Sequence, residues 1–429
     1  MASATTTDPG QLSGLFKEVY GEDIINLIPE TAKLTKMIPF ISSDKELGNK
    51  YHQPVVVTHE HGVTYAAADA GAFALNSAIP MTTKDAYIQG GQILLRSAMS
   101  YDAAARASNS KKAFKKGTQL LVENMLESGT KRLEIAMLYG QAGLAKYAFA
   151  DATYASPTAT TVTLPIASGH WAAGIWAGME GAQLQLYYDN AGTLTLTSSG
   201  DDSIFTVDLV DEDNKTLYLT GTATGVTALD TAAASYDIYP FFYGAKTTEM
   251  YGLQKIITNT GSLFGISAAD YGLWKGNSVT ETGQLTFGKV LSAVGKCVQR
   301  GLQEECVVLV NPDTWNDLST DIAALRRYAG ESKGKLVQGA TGIEYYGQNG
   351  KMIVEPYNVV KTGDCFVLPT KKIKRPGAQD LSFKTPGKEG EIFLHLSGYA
   401  GYELRLYTDQ AIFIEKPATA AYVSGFTNS

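Results

Sequence analysis

His59-Glu60-His61 is the densest grouping of metal-ligating side chains in this sequence. Two histidines two apart on a strand project from one face, which is the geometry a shared metal ion needs. No HExxH spacing accompanies them and no third ligand is evident, so the pair reads as a polar patch on a loop or contact surface. The run Gly330-Glu331-Ser332-Lys333-Gly334-Lys335 has the composition of a phosphate cradle, but its spacing is not GxxxxGK[ST]. A GxGxxG turn is also absent, and the 43 glycines read as turns and close backbone approaches. No GxSxG elbow is present to expose a nucleophilic serine. Asp201-Asp202 and Asp211-Glu212-Asp213 could offer oxygen ligands to calcium, yet they fall in turn-forming stretches without an EF-hand pattern. The basic run Lys371-Lys372-Ile373-Lys374-Arg375-Pro376 is short and lacks interleaved aromatics, which favours a charge patch or solvated loop over a DNA-binding element. No catalytic residue, no cofactor-binding residue and no metal ligand is expected.

The bulk composition narrows the class. Hydrophobic residues make up 44% of the 429 and charged residues 18%. A typical soluble chain carries about 25% charged residues. Surface that is covered by neighbouring subunits need not be solvated, so large subunit contacts would account for the deficit. The net charge of -7 argues against a clustered basic face reading a nucleic-acid sequence. Cys297, Cys306 and Cys365 are too few and too scattered for a disulfide framework, which suits a reducing cytoplasm. Neither a secretory leader nor a membrane span is expected.

Along the chain the elements change character in a definite order. Residues 1–48 begin polar, pass through a weakly helical stretch and are interrupted at Pro29 and Pro39, as an arm draped over something else would be. Residues 49–100 hold two β-rich runs, 51–58 and 87–97, joined by the small-residue stretch 66–79. They predict a long hairpin whose open edges need a partner to cover them. Leu121, Met125, Leu133 and Met137 recur at helical spacing within 109–140, with Asn109 or Ser110 as the cap and Gly140 as the stop. Residues 150–248 alternate in short runs separated by turn residues and predict an inserted all-β domain, barrel or sandwich. From 249 the pattern is mixed α/β. An amphipathic helix over 285–302 carries Val290, Leu291, Val294 and Val298 on one face, and a buried strand over 306–310 leads into a helix over 313–328. Short strands follow to 368, with Gln348-Asn349-Gly350 as a hairpin turn, and the C-terminus alternates strongly from 392 to 415.

This series of arm, long hairpin, spine helix, α/β domain and returning strands resembles the tailed-phage major capsid protein with the Hong Kong 97 fold. The stretch Val307-Val308-Leu309-Val310-Asn311-Pro312-Asp313-Thr314-Trp315 looks like a strand-to-helix step of its axial domain. Trp171-Ala172-Ala173-Gly174-Ile175-Trp176-Ala177-Gly178-Met179 looks like a stretch of related coat chains. The resemblance implies an α+β fold. Its parts are an N-terminal arm (1–48), an extended loop (49–100), a peripheral domain with the spine helix (101–149), the inserted all-β domain (150–248), an axial domain (249–370) and C-terminal strands returning to the peripheral domain (371–429). In the family's founding member a loop lysine is crosslinked to an asparagine of a neighbour. Lys84 lies in the corresponding loop here, but no acidic catalyst or asparagine partner can be matched, so that chemistry is not carried over.

The function implied is structural, not enzymatic. The subunit would assemble as a homo-oligomer of pentamers and hexamers into an icosahedral head around double-stranded DNA, which it would contact nonspecifically. Portal and scaffolding proteins and a decoration protein are the implied partners, with no membrane and no cofactor. Assembly in the host bacterial cytoplasm and residence in the virion follow from the same resemblance. Two alternatives stand beside it: a tail or decoration protein, and a carbohydrate-active enzyme whose inserted domain binds sugar through Trp171, Trp176, Tyr187 and Tyr188.

Overall fold

The computed structural model describes residues 32–42, 50–101, 117–148, 160–188, 194–195, 200–328, 343–347, 350–383, 393–395 and 400–428. The expected cap at Asn109 or Ser110, the run 330–335, and Gln348 and Asn349 lie outside them.

Helix Gly117–Tyr139 is the member around which the rest is arranged. Its 23 residues span ~35 Å at 1.5 Å per residue. The first half is amphipathic. Met125 packs with Leu404 and Leu406 under partly buried Leu95, Leu121, Val122 and Leu381, while Leu126 is 44% exposed. The second half has no wet face, because every residue from 133 to 140 is buried. Gly140 ends it for a steric reason as well as a conformational one: a Cβ there would overlap the carbonyl oxygens of Met250 and Ala136. Gly252 N–H donates to the Gly140 carbonyl at 2.9 Å, so two glycine backbones meet where side chains would not fit.

Three sheets surround this helix. The spine sheet is built on the long antiparallel pair Gly91–Ser100 and Gly401–Gln410, registered from Gly401↔Ser100 to Gln410↔Gly91. Strand Ile373–Ser382 joins it, and Phe40–Ser42 lies parallel to that strand. The mixed sheet runs in the order Asn277–Thr280, Ala421–Ser424, Asp364–Leu368, Cys306–Val310, Gly350–Pro356, Ile343–Gly347. Its central strands are buried on both faces and feed two cores alternately. Val307, Leu309, Phe366 and Leu368 point into the core shared with the helix, while Cys306, Val308, Val310, Cys365 and Val367 point toward Phe287, Val290 and Val294. Helix Phe287–Gln299 presents the expected face, with Val290 and Val294 buried and Leu291 and Val298 partly so. The last strand departs from the expected course. Ala421–Ser424 does not return beside the spine helix but fills the slot between Asn277–Thr280 and Asp364–Leu368, where Ala421 and Val423 have no exposed surface.

The third sheet comes from the segment expected to be all-β. Strands Thr161–Pro165, Gln183–Tyr188, Ile204–Asp211, Thr216–Thr220 and Ile238–Phe242 form an antiparallel sheet in which Leu194–Thr195 also pairs. The segment is not all-β: helix Ala223–Ala233 follows Thr222, whose Oγ1 accepts from Gly225 N–H at 3.0 Å. Three threonines and a glycine offset the helix propensity of its four alanines, and the β-rich runs on either side hid it. What stabilises it is tertiary, since Val226 and Leu229 share a core with Phe205, Leu217 and Leu219. The sheet is no closed module either, because that core is continuous with the spine helix residues Leu133 to Tyr139.

Backbone hydrogen bonds bind this sheet to its surroundings. Leu144 N–H donates to Pro240, Ala167 N–H to Lys146, Gly174 N–H to Asn358, and Gly363 N–H to Gly169. At that junction lies a buried polar network. The Tyr139 and Tyr422 hydroxyls donate to the two Asp364 carboxylate oxygens at 3.0 and 2.7 Å, and Lys361 Nζ donates to the Gly143 carbonyl at 2.9 Å. Burial pushes the Asp364 carboxyl up, and the Lys361 charge opposes it.

Two outcomes test this packing. Gly140→Val should destabilise the chain by about 1–3 kcal/mol in chemical denaturation, as forced overpacking does, while Leu126→Ala on the same helix should stay within about 0.5 kcal/mol. Burial, reinforced by the charges of Lys361 and Lys146, pulls the His170 pKa from 6.5 down to about 3. The unfolded chain therefore binds a proton below pH 6.5 that the folded chain refuses, so this contribution to stability is full above 6.5 and falls as the medium is acidified. Stability should drop between pH 6.5 and 5 in the parent, and a His170→Gln variant should show a flatter profile over that window.

Candidate interaction surface

The two runs read as a hairpin do pair, but differently from the expected register of elements. Tyr51–Thr58 pairs with Thr82–Ile88, from Tyr51↔Ile88 to Thr58↔Thr82, as a two-stranded sheet. The expected second strand is broken at Gln89 and Gly90, and its remainder, Gly91–Ser100, belongs to the spine sheet. The glycines explain the break. A Cβ on Gly90 would strike the Asp409 carboxylate, and one on Gly91 would sit 2.6 Å from Met250 N. The chain can turn from one sheet into the other only where backbone passes backbone without side chains.

The base of the hairpin is held firmly. Ala86 and Ile88 are buried, and Tyr87 N–H donates to the Phe264 carbonyl at 3.1 Å. The Tyr87 ring lies over Gly265, whose φ of +81° and missing side chain leave the space. On its other flank Lys50 Nζ stands 4.3 Å from the ring centroid. Outward from the base, His52 Nδ1 and Asp85 Oδ2 close across the strands at 2.5 Å. Pro54 lacks an N–H and so cannot donate to a third strand.

Beyond Thr58 the hairpin has little of its own to pack against. Every residue from 59 to 81 except Thr64 and Ala70 is exposed. The two limbs are tied by His61 N–H to the Ile79 carbonyl (3.1 Å), Asn76 N–H to Thr64 Oγ1 (2.8 Å) and Asn76 Nδ2 to the Val63 carbonyl (2.9 Å). The exposed side chains include Tyr65 at 91%, Leu75 at 81%, and Val63, Phe73, Ile79 and Met81 at about half. Scattered exposed apolar groups are ordinary, but this many on one ordered projection mark a surface meant to be covered.

The other sequence candidates separate from this surface. His59 and His61 sit exposed on the hairpin limb, and no group of three metal-ligating side chains occurs among the described residues. Lys84 is an exposed strand residue opposite Val55. Asp211 accepts from Asn214 N–H and Nδ2 at 2.9 and 2.8 Å within a turn, and Asp202, in the 3-10 turn Gly200–Ser203, accepts from the Oγ1 of the helix cap Thr222. The basic run passes from the 3-10 turn Thr370–Lys372 into strand Ile373–Ser382, and three of its four cations pair within the chain. Lys374 meets Glu415 at 2.5 Å, Lys372 meets Glu304 at 3.2 Å, and Arg375 is buried beside Asp380 and the Phe40 ring. Trp171 and Trp176 stack with centroids 6.3 Å apart inside the core, where no sugar can reach them. The three cysteines are buried thiols, and burial pushes Cys297 up to about 12.

Sequence reasoning missed one group entirely. Glu134 has no exposed surface and lies in the helix half that is buried all round. Its signal was present: a carboxylate directly beside Leu133 within an apolar stretch must find donors.

No protein-family model matches the sequence, and no curated protein matches it. Solved structures do. The capsid asymmetric unit of Cyanophage A-1(L) superposes with a TM-score of 0.55 at 9% identity, over 97% of this chain and 98% of that one. The capsid of an empty GTA particle gives 0.51 at 10% identity, over 100% and 99%. The capsid of a native GTA particle gives 0.50 at 8%, over 99% and 100%. Matched over nearly the whole of both chains at such low identity, the chain has the fold of the tailed-phage major capsid protein.

Proposed function

We propose that this chain is a virion capsid subunit that works by self-assembly into a closed shell. The observation that carries the reading is the hairpin: a firmly seated base projecting a limb whose apolar side chains have no cover within the subunit. A second copy is the natural cover, since repeated contacts of one kind close a lattice. Individually weak contacts suffice once many act together. The finer picture is pentamers and hexamers tiling an icosahedral head around double-stranded DNA of a tailed phage. Portal and scaffolding proteins, and a decoration protein, would be the partners, with assembly in the host bacterial cytoplasm. Contact with packaged DNA would be nonspecific, and the acidic net charge, with Lys372 and Lys374 engaged in internal ion pairs, would limit how strongly the subunit sticks to it. No helix among the described residues is long and apolar enough to cross a membrane.

Electron microscopy of the purified chain, expressed with and without its neighbouring genes, tests the reading. Closed shells or ring-shaped capsomers are expected; tubes, trimers or small discrete particles under every condition would overturn it. A Tyr65→Asp, Leu75→Asp double variant should keep its melting behaviour, because both side chains are almost fully exposed, and should assemble poorly. Deleting 66–79 should do the same, and normal shells from either variant would remove the hairpin from the mechanism.

A further inference from the structure

Residues 32–42 form a strap that touches three parts of the molecule. Lys33 Nζ donates to the Pro356 carbonyl at 2.8 Å and pairs with Glu355 at 2.8 Å, at the end of a mixed-sheet strand. Leu34 and Ile38 are each 1% exposed in the core beside the spine helix. Phe40–Ser42 then pairs in parallel with Arg375, Pro376 and Gly377 of the spine sheet.

At the centre of the strap sits the Glu134 carboxylate. Oε1 accepts from Lys33 N–H (3.1 Å), Thr35 N–H (2.8 Å) and Thr35 Oγ1 (2.6 Å). Oε2 accepts from Leu34 N–H (2.8 Å) and from the Tyr357 hydroxyl (2.5 Å). Tyr357 in turn donates its N–H to the Val310 carbonyl at 2.8 Å, which ties it to the middle of the mixed sheet. One side chain of the spine helix therefore holds the strap with four donors and the mixed sheet with a fifth.

An apolar residue at 134 would fill the same space without burying a charge, so packing alone does not call for a glutamate. What the carboxylate adds is direction: its donors must converge from two separate parts of the chain. We propose that Glu134 is a latch, with the strap as its bolt, that fixes the angle between the mixed sheet and the spine sheet. This rests on the capsid reading for its consequence, because in a shell of identical subunits that angle sets the curvature between neighbours.

The test compares full-length wild type, Glu134→Gln and Tyr357→Phe by particle diameter in electron microscopy and by tryptic cleavage after Lys33 and Lys36. Wild type should give one narrow diameter distribution and slow strap cleavage. Glu134→Gln should accelerate cleavage by about tenfold or more, as local opening becomes easier, and should broaden the diameters. Tyr357→Phe leaves the four strap donors in place, so cleavage should stay near wild type while the diameters still broaden. Unchanged diameters in both variants would overturn the proposal, as would unchanged cleavage in Glu134→Gln. If Glu134→Gln does not fold by circular dichroism, Tyr357→Phe decides alone, and wild-type diameters from it would sink the latch. If wild type forms no shell, the capsid reading fails instead, and strap cleavage in Glu134→Gln still decides whether the latch exists.

Discussion

The structure depends on covering the second half of the spine helix. A helix with one apolar stripe can lie on a sheet and leave its other face wet, as 121–128 does here. From Leu133 to Gly140 there is no wet face, so the chain must supply cover from every direction. The mixed sheet sends Phe366 against Tyr139, ring centroid to centroid at 5.9 Å. The inserted segment sends Phe242 under the Arg132 guanidinium at 3.5 Å. The strap supplies Leu34 and Ile38. Each fully buried large apolar side chain contributes roughly 1.5–3 kcal/mol, so a segment wrapped on all sides organises elements that are far apart in sequence.

Polar groups trapped by that burial turn into joints. Glu134 and Asp364 are carboxylates that water cannot reach, and a lone buried charge would be strongly destabilising. Each is satisfied by donors from other segments: the strap and Tyr357 for one, Tyr139 and Tyr422 for the other. The geometry of these hydrogen bonds is narrow where hydrophobic contact is not. The sheets are thus held near one another by apolar burial and oriented by a few directional bonds.

The hairpin shows the opposite economy. Its base is pinned by buried Ala86 and Ile88 and by glycines at 90, 91 and 265, while its outer limb carries apolar side chains in solvent. A firmly seated base with an uncovered limb fixes the direction in which that apolar surface is presented. Several of the charges the chain does carry are engaged with one another across the subunit.

The order of the parts was legible in the sequence, because local patterns write it. Helical spacing of Met125, Leu133 and Met137, alternation over 51–58 and 204–210, and the continuous apolar run 306–310 each declare an element without reference to anything distant. Glycine at 140 likewise marked a stop. What only the tertiary structure decided are the matters settled by partners remote in sequence. Gly90 and Gly91 split one expected strand in two because Asp409 and Met250 crowd them. The segment 223–233, with three threonines and a glycine among four alanines, becomes a helix because a sheet accepts Val226 and Leu229. The final strand enters the mixed sheet because a slot between two strands is open to it. Lysines 372 and 374 look like a surface patch until Glu304 and Glu415 are placed beside them. Glu134 looks like one more charged helix residue until the strap and Tyr357 are brought to it. Periodicity is a local property and survives in one dimension, whereas the satisfaction of a buried charge or the clearance over a glycine exists only between segments that folding brings together.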